Sequence, residues 1–314
     1  MRVLLVGEIN LDIILQGGSG LPVAGREILV NDCAMTLGSS CAITGAGLVR
    51  LGHKAAYFGR MGADPAARLC LEWMTGLGLD VSMVKLDPAL KTGITVSIAS
   101  RADRSLISYL GATTVLRAAN IPDSAFDGFD HLHCSSYFIQ TGMHPGFEDL
   151  YRRAKERGMT TSLDPACDPA AEWKSYIDRV LPYVDVFLPN EMELTGITGE
   201  HDPVHGLRAL ANGRTLPIVK LGPRGAMALV NNEPLRVPAP VVDVIDPTGA
   251  GDCFNAGFLH AWLEHRSVRE ALELGVACGS FSIRALGGTG AQATEAEAIA
   301  MLADAGELKE TARR

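Results

Sequence analysis

Asp246-Pro247-Thr248-Gly249-Ala250-Gly251-Asp252 runs without a break into Cys253-Phe254-Asn255-Ala256-Gly257-Phe258-Leu259-His260-Ala261-Trp262. Beyond Asp252 the large apolar residues Phe254, Phe258, Leu259 and Trp262 recur at helical spacing. A glycine-rich turn therefore opens directly into a helix. Unpaired backbone N–H groups and the positive end of the helix dipole meet at such a point. Together they bind anions, phosphate above all. Gly249 and Gly251 let the backbone approach an anion with no Cβ in the way. Asp252 sets a negative charge where a phosphate would sit. An Asp at a helix start also complements the dipole, by ~0.3–1 kcal/mol. As a phosphate ligand it makes little sense. As a general base that takes the proton of an attacking hydroxyl, it does.

Outward from this turn, short apolar runs alternate with longer amphipathic stretches. The pattern predicts strands at Val3–Gly7, Ala55–Gly59, His131–Cys134, Thr160–Asp164, Val184–Leu188, Ile218–Leu221 and Ala226–Val230. It predicts helices at Ser40–Leu51, Pro65–Gly76, Pro145–Arg157, Glu191–Thr195, Pro203–Asn212, Asp252–Glu264, Val268–Ala285 and Glu295–Ala305. Several strands are continuous apolar runs, as expected when helices cover both faces of a mainly parallel sheet. Two segments, Asp12–Asp32 and Ile94–Gly111, lack helical period. The first carries a Gly17-Gly18-Ser19-Gly20 turn and then Glu27–Val30. The second reads as a hairpin around Arg101-Ala102-Asp103-Arg104. Both suit a small β-sheet that projects from the α/β body as a lid. The charged tail Glu307–Arg314 is expected to fray. The chain reads as one unit over 1–314.

Composition narrows the function. A net charge of -8 weighs against a nucleic-acid binder. No run approaches the ~18 uncharged apolar residues of a membrane span. Glycine is the outlier: 34 of 314 residues, about 11% against a usual ~7%. Many tight turns and close backbone approaches follow. The cysteines number 7, with no Cys-x-x-Cys pair. Free thiols in a reducing cytoplasm are expected rather than zinc ligands. His131 and His133 would place two imidazoles on one face of a strand, which fits a buried strand better than a metal site. Cys253 reads as a small buried helix residue. The P-loop and dinucleotide glycine fingerprints are both missing.

The 246–252 segment resembles the C-terminal signature of the ribokinase-like (PfkB) family of carbohydrate kinases. The likeness extends over most of the chain. Gly7, Asn10 and Asp12 resemble the family's N-terminal Gly-x-x-Asn-x-Asp. Gly59-Arg60-Met61-Gly62-Ala63-Asp64 is similar to its Gly-x-x-Gly-x-Asp turn. Asp164-Pro165 sits where the family often ends a central strand. Asn190 and Glu193 match its Asn-x-x-Glu, and Lys220-Leu221-Gly222 with Gly225 its nucleotide-side strand and turn. One stretch departs from the pattern. Where the family has Gly-Gly and then an Asn, this chain reads Leu37-Gly38-Ser39-Ser40-Cys41-Ala42-Ile43. Ile43 cannot hydrogen-bond a sugar hydroxyl; Ser39 and Ser40 are candidate replacement donors.

The resemblance implies a three-layer αβα fold with a β lid, and ATP-dependent phosphorylation of a small sugar or polyol. It implies Asp252 as base, with Gly249, Ala250 and Gly251 around the transferred phosphoryl group. Asn10, Asp12, Gly38 and Ser39 would hold the sugar. Asn190, Lys220, Gly222, Gly225, Gly249 and Gly251 would face the nucleotide. Magnesium would be held largely through water by Glu193 and Asn190. In some relatives a monovalent cation lies near a loop like Gly287–Ala291, which otherwise reads as a helix C-cap turn. Two alternatives stay open: a nucleoside kinase of the same family, and a catalytically silent sugar or nucleotide sensor. Exposed lid strands would favour a homodimer through the lid. Nucleic-acid and membrane partners are not expected.

Overall fold

The computed structural model describes residues 1–17, 24–99, 104–173 and 176–312. The first half of the chain forms β1 (Arg2–Val6), β2 (Asn10–Gln16), β3 (Asp32–Leu37), α1 (Ser40–Arg50), β4 (Lys54–Gly62), α2 (Pro65–Gly76), β5 (Asp80–Asp87), β6 (Gly93–Ala99), β7 (Arg104–Tyr109) and β8 (His131–Cys134). The second half forms α3 (Phe147–Glu156), β9 (Thr160–Leu163), α4 (Ile177–Val180), β10 (Val186–Phe187), α5 (Glu191–Thr198), α6 (Pro203–Ala209) and β11 (Leu216–Lys220). It ends in β12 (Ala226–Val230), β13 (Glu233–Val237), α7 (Ala250–Leu263), α8 (Val268–Ser282) and α9 (Glu295–Ala312).

The large sheet has the order β13-β12-β11-β10-β9-β8-β1-β4-β5. All its pairings are parallel except those of β12. β1 shows why the layers form. Its run Val3-Leu4-Leu5-Val6 is inaccessible to solvent, and successive side chains point to opposite faces. Val3 and Leu5 join the core built with Ala42 of α1, Cys70 of α2, Phe254 of α7 and Leu272 of α8. Leu4 and Val6 join the core on the other face, with Phe147 and Leu150 of α3, Leu194 of α5 and Leu207 of α6. Each fully buried Leu contributes roughly 1.5–3 kcal/mol. Chain order reverses between β1 and β8, so a crevice opens at the carboxyl ends of these strands.

The second sheet has the order β3-β2-β6-β7. Its strands sort residues by the period of two. Thr36, Asp12, Thr95 and Ser108 lie in register across all four strands, on one face. Met35, Ile13, Val96 and Ile107 form the next row, on the other face. One face is polar and the other apolar at this level.

The expected small sheet is present, with corrected bounds. Its first strand starts at Asn10, not Asp12. Its second starts at Asp32, where the segment was expected to end. The polar and apolar alternation of Asn10-Leu11-Asp12-Ile13 and of Met35-Thr36-Leu37 belongs to the strands themselves. Glu27–Val30 is not a strand. The Gly18-Ser19-Gly20 part of the first turn and Arg101-Ala102-Asp103 of the hairpin lie outside the described residues. Two strands of the large sheet, β5 and β13, were not foreseen. Both are edge strands with polar, exposed positions, which blurs the apolar signal. α9 continues through Ala312, so the stretch expected to fray is helical that far; Arg313 and Arg314 lie outside the described residues.

Candidate active site

The carboxyl ends of β1, β9 and β11 deliver Glu8, Asp164 and Lys220 to the crevice, and the 246–252 turn closes it. Lys220 Nζ lies 2.6 Å from Asp164 Oδ2 and donates to Asn255 Oδ1 at 3.3 Å. Asn255 Nδ2 donates to the same Asp164 oxygen at 2.5 Å. Burial works against the Asp164 carboxylate, but the Lys220 charge and these hydrogen bonds hold it below its ordinary pKa. Burial likewise opposes the Lys220 charge; Asp164 and Glu193 outweigh it and keep the ammonium above its usual value.

Asp252 lies in the first turn of α7, one turn before Asn255. Its carboxyl is pushed well above the usual carboxylate range, by burial first and then by the charge of Asp164. Lys220 and the Ser40 hydroxyl, which hydrogen-bonds to it, act in the opposite direction. Gly249 has φ 76°, and a Cβ on it would fall 2.3 Å from Gly288 Cα. Only glycine permits both the left-handed turn and this approach. Asp246 fixes the same contact: one oxygen accepts from Thr248 N–H and hydroxyl at 3.0 and 2.7 Å, the other from Gly287 N–H at 2.8 Å.

Asn10, Asp12 and Gly38 meet. Asn10 Nδ2 donates to Asp12 Oδ1 at 2.7 Å and to Thr95 Oγ1 at 3.3 Å. A Cβ on Gly38 would lie 2.3 Å from both Asn10 Nδ2 and Asp12 Oδ1. Asp12 therefore borders Gly38, while Asp252 borders Ser40, two residues further on. The two carboxylates face one short turn from its two ends. Thr36, on the polar face of the small sheet, packs against Gly287.

Ser39 differs from its expected use. It adopts φ 75° and caps α1. Its hydroxyl donates to Glu8 O at 2.6 Å, accepts from Ala42 N–H at 3.0 Å and meets Tyr57 Oη at 3.1 Å. The side chain is committed to the interior. Ile43 is 3% exposed and packs against Gly288, where a Cβ would come within 2.5 Å of it. Asn190 and Glu193 form a reciprocal cap at the start of α5: Asn190 N–H and Nδ2 donate to the carboxylate at 2.7 and 2.6 Å, and Glu193 N–H donates back at 2.9 Å. Burial, then the nearby Asp164, pushes the Glu193 carboxyl up to about 7. Gly222, Gly225, Ala250 and Gly251 line an apolar cavity of about 450 Å³, walled also by Val241 and Phe254.

Sequence reasoning did not assign roles to Glu8, Asn255, Thr36, Thr95 or Ser108. The last three had a legible signal, since small hydroxyl residues alternate with apolar ones along the strands. Asn255 could have been found three residues after Asp252, on the same helix face. Glu8 carried no such signal. His131 and His133 share the Ser162 hydroxyl, each at 2.7 Å, and both are buried in β8.

A carboxyl at a helix N-terminus, the Lys220 ammonium close by and an apolar cavity along the same turn are arranged as an α/β phosphotransferase requires. The chain belongs to the PfkB family of carbohydrate kinases, whose model matches residues 4–295. An ATP-dependent ribose-1-phosphate kinase of Halopiger xanaduensis is 28% identical, over 95% of this chain and 97% of that protein. Among solved structures, a provisionally named ribokinase II from E. coli, in complex with ATP and Mg2+, superposes with a TM-score of 0.84 at 21% identity, covering 96% of this chain and 99% of that one. Adenosine kinase from Sinorhizobium meliloti superposes with a TM-score of 0.81 at 23% identity, covering 95% and 98%.

Proposed function

We propose that the protein transfers the γ-phosphoryl group of ATP to a hydroxyl of a small sugar or sugar-like polyol. One observation carries the reading: Asp252, Lys220 and the N-terminus of α7 converge between a polar cleft and an apolar cavity. The cavity beside Gly222, Gly225 and Gly251 takes the base of the nucleotide. The polar row Thr36, Asp12, Thr95 and Ser108, with Asn10, takes the hydroxyls of the acceptor. Gly38 contributes by lacking a side chain, and Ser39 through its backbone.

The acceptor hydroxyl gives its proton to Asp252 as its oxygen attacks the γ-phosphorus. Backbone N–H groups of Gly249, Ala250, Gly251 and Asp252 meet the charge that grows on the equatorial oxygens. Lys220 supplies a fixed positive charge at the same place. Asn190 and Glu193, with Asp164 nearby, offer the hard oxygen donors that magnesium prefers. A buried Glu193 with a raised pKa is a group that a divalent cation would stabilise. Bound magnesium would neutralise phosphate charge; the residues would hold it largely through water. A monovalent cation beside the Gly287 loop, pinned by Asp246, is a further element of the proposal.

The whole chain works as one unit in this reading, with the small sheet as the lid that excludes water from the sugar. Dimerisation through the lid is included, as is residence in the cytoplasm, supported by seven free thiols. Among the described residues, no helix is long and apolar enough to cross a membrane. ADP release measured across a panel of sugars and nucleosides tests the reading. Release with a sugar supports it. Release with nucleosides alone reassigns the enzyme to nucleoside kinases, and silence with the whole panel points to a sensor.

A further inference from the structure

At the far end of α7 from Asp252, His260 is 1% exposed, and its Nε2 atom has no hydrogen-bond partner. Its Nδ1 lies 2.9 Å from Nε2 of His53, in the turn between α1 and β4. Nε2 itself faces two carboxylates. Glu264 Oε2, one helical turn on, is 3.7 Å away, and Glu295 Oε2, at the start of α9, is 3.5 Å away. Both separations exceed a normal hydrogen bond. With the shared proton on His260 Nδ1 and donated to His53, the Nε2 lone pair is turned toward the two carboxylates, and a metal cation between them would accept all three donors.

The spacing fits one kind of cation. Zinc binds imidazole nitrogen and carboxylate oxygen at ~2.0–2.2 Å, which sets tetrahedral ligand atoms about 3.4 Å apart. Arg266 holds the carboxylates from outside: its Nη2 is 2.5 Å from Glu264 Oε2 and 2.5 Å from Glu295 Oε1. Oε2 of Glu295 is left turned toward His260. His53 occupies the place of the outer partner that a metal-bound imidazole normally donates to. His53, His260 and Glu264 offer ligand atoms within 4.8 Å of one another.

We propose that His260, Glu264 and Glu295 form a binding site for a divalent transition metal such as zinc, with His53 orienting His260 from behind. The metal would tie the end of α7 to α9 and to the α1–β4 turn. It is separate from the catalytic magnesium, and the imidazole ligand favours zinc over magnesium. No ligand spacing in the sequence announces it, because Glu295 and His53 are distant from the His-x-x-x-Glu pair.

The test uses untagged, chelator-stripped full-length protein in excess Mg2+. Cys33 and Cys167 are exposed thiols and are changed to Ser so that they do not compete. Calorimetric titration with Zn2+ is expected to show about one equivalent bound, with a rise in melting temperature. Glu295→Gln, at a half-exposed position, should weaken binding by at least the roughly 10–100-fold that losing an outer partner costs and abolish the rise in melting temperature. Glu264→Gln should do the same. Co2+ in place of Zn2+ should give a tetrahedral visible spectrum without thiolate bands. Absence of Zn2+ binding would overturn the proposal. So would equal binding by wild type and Glu295→Gln, with circular dichroism showing both folded.

Discussion

The ammonium of Lys220 and the carboxylate of Asp164 pair at 2.6 Å, with side chains 12% and 5% exposed. This pair sits between two acidic groups whose pKa values are raised, Glu193 and Asp252. Lys220 lowers both. Lys220→Met would leave three carboxyl groups facing one another without a cation. Breaking a buried pair on one side costs about 3–5 kcal/mol. The expected result is a lower urea midpoint and a kcat reduced by ~10²–10³. The acid limb of the kcat/KM profile should also move to higher pH, because Asp252 loses the charge that holds it down. An unmoved limb would show that Lys220 does not act on the base.

Asp252→Asn removes the proposed base and keeps the shape. Turnover should fall by ~10²–10⁴, the usual size of a general-base contribution. Nucleotide affinity, read by calorimetry, should hold or increase, since a negative charge near the γ-phosphate is gone. Ser40→Ala removes the hydroxyl that lowers the Asp252 pKa, so its acid limb should shift upward with little loss of plateau rate. Wild-type turnover in Asp252→Asn would reduce that residue to a partner of the helix dipole.

Gly38→Ala tests the sugar side alone. The added methyl would collide with Asn10 and Asp12, displacing the groups proposed to hold the acceptor. KM for the acceptor should rise strongly while KM for ATP stays within about twofold. Asp12→Ala should show the same split, with kcat lowered as well, because a misplaced hydroxyl reacts poorly. An equal rise in both KM values would place the collision outside the acceptor cleft.

The layer order was legible because β1, β4 and β12 carry apolar runs, as strands of a doubly covered sheet do. The proposed phosphate end of the site was readable for a related reason: its residues are consecutive. Gly249, Gly251 and Asp252 lie within one turn, so local chemistry suggests their proposed roles. The proposed acceptor end was less readable. Asp12 and Thr95 lie on β2 and β6 and Gly38 directly follows β3, so their meeting is a matter of sheet register. Ser39 looked like a free donor because sequence does not reveal that a positive φ turns its hydroxyl inward. Lys220 was visible as a charge at a strand end, whereas its pairing with Asp164 needs the crossover between β9 and β11.

Glu8 gives a stability prediction with a definite sign. Burial raises its carboxyl from 4.5 to about 7, against the hydrogen bond from Ser136, and its Oε2 has no partner. The folded state therefore keeps a proton that the unfolded state releases. Its contribution declines as pH rises from about 4.5 to about 7. His53 and His133 pull the other way: burial lowers each from 6.5 to about 4, so their contribution is lost as pH falls through that window. The wild-type curve is a compromise, and the difference between variants isolates Glu8. Glu8→Gln should gain on wild type by up to about 3 kcal/mol between pH 4.5 and pH 8, measured by urea unfolding. A difference independent of pH would show that Glu8 is already ionised in the fold.

The lid makes the last prediction. β7 is an edge strand of the small sheet, and Leu106, Ile107 and Tyr109 on it are 56%, 61% and 55% exposed. Met35, on the opposite edge strand, is 56% exposed. Unpaired backbone groups flanked by apolar side chains invite a second strand. A second copy of the same lid satisfies both demands. Light scattering at micromolar concentration should therefore give twice the mass of the chain. Ile107→Lys places a charge on the edge and should shift the protein toward monomer. Its far-ultraviolet circular dichroism should stay unchanged, because the position is exposed. The monomer should keep its nucleotide affinity, since the apolar cavity near Gly225 lies in the large sheet. Its KM for the acceptor should rise, because an unsupported lid orders the acceptor cleft less well. A wild-type protein that is monomeric at these concentrations would remove the dimer from the proposed function and leave the chemistry at Asp252 untouched.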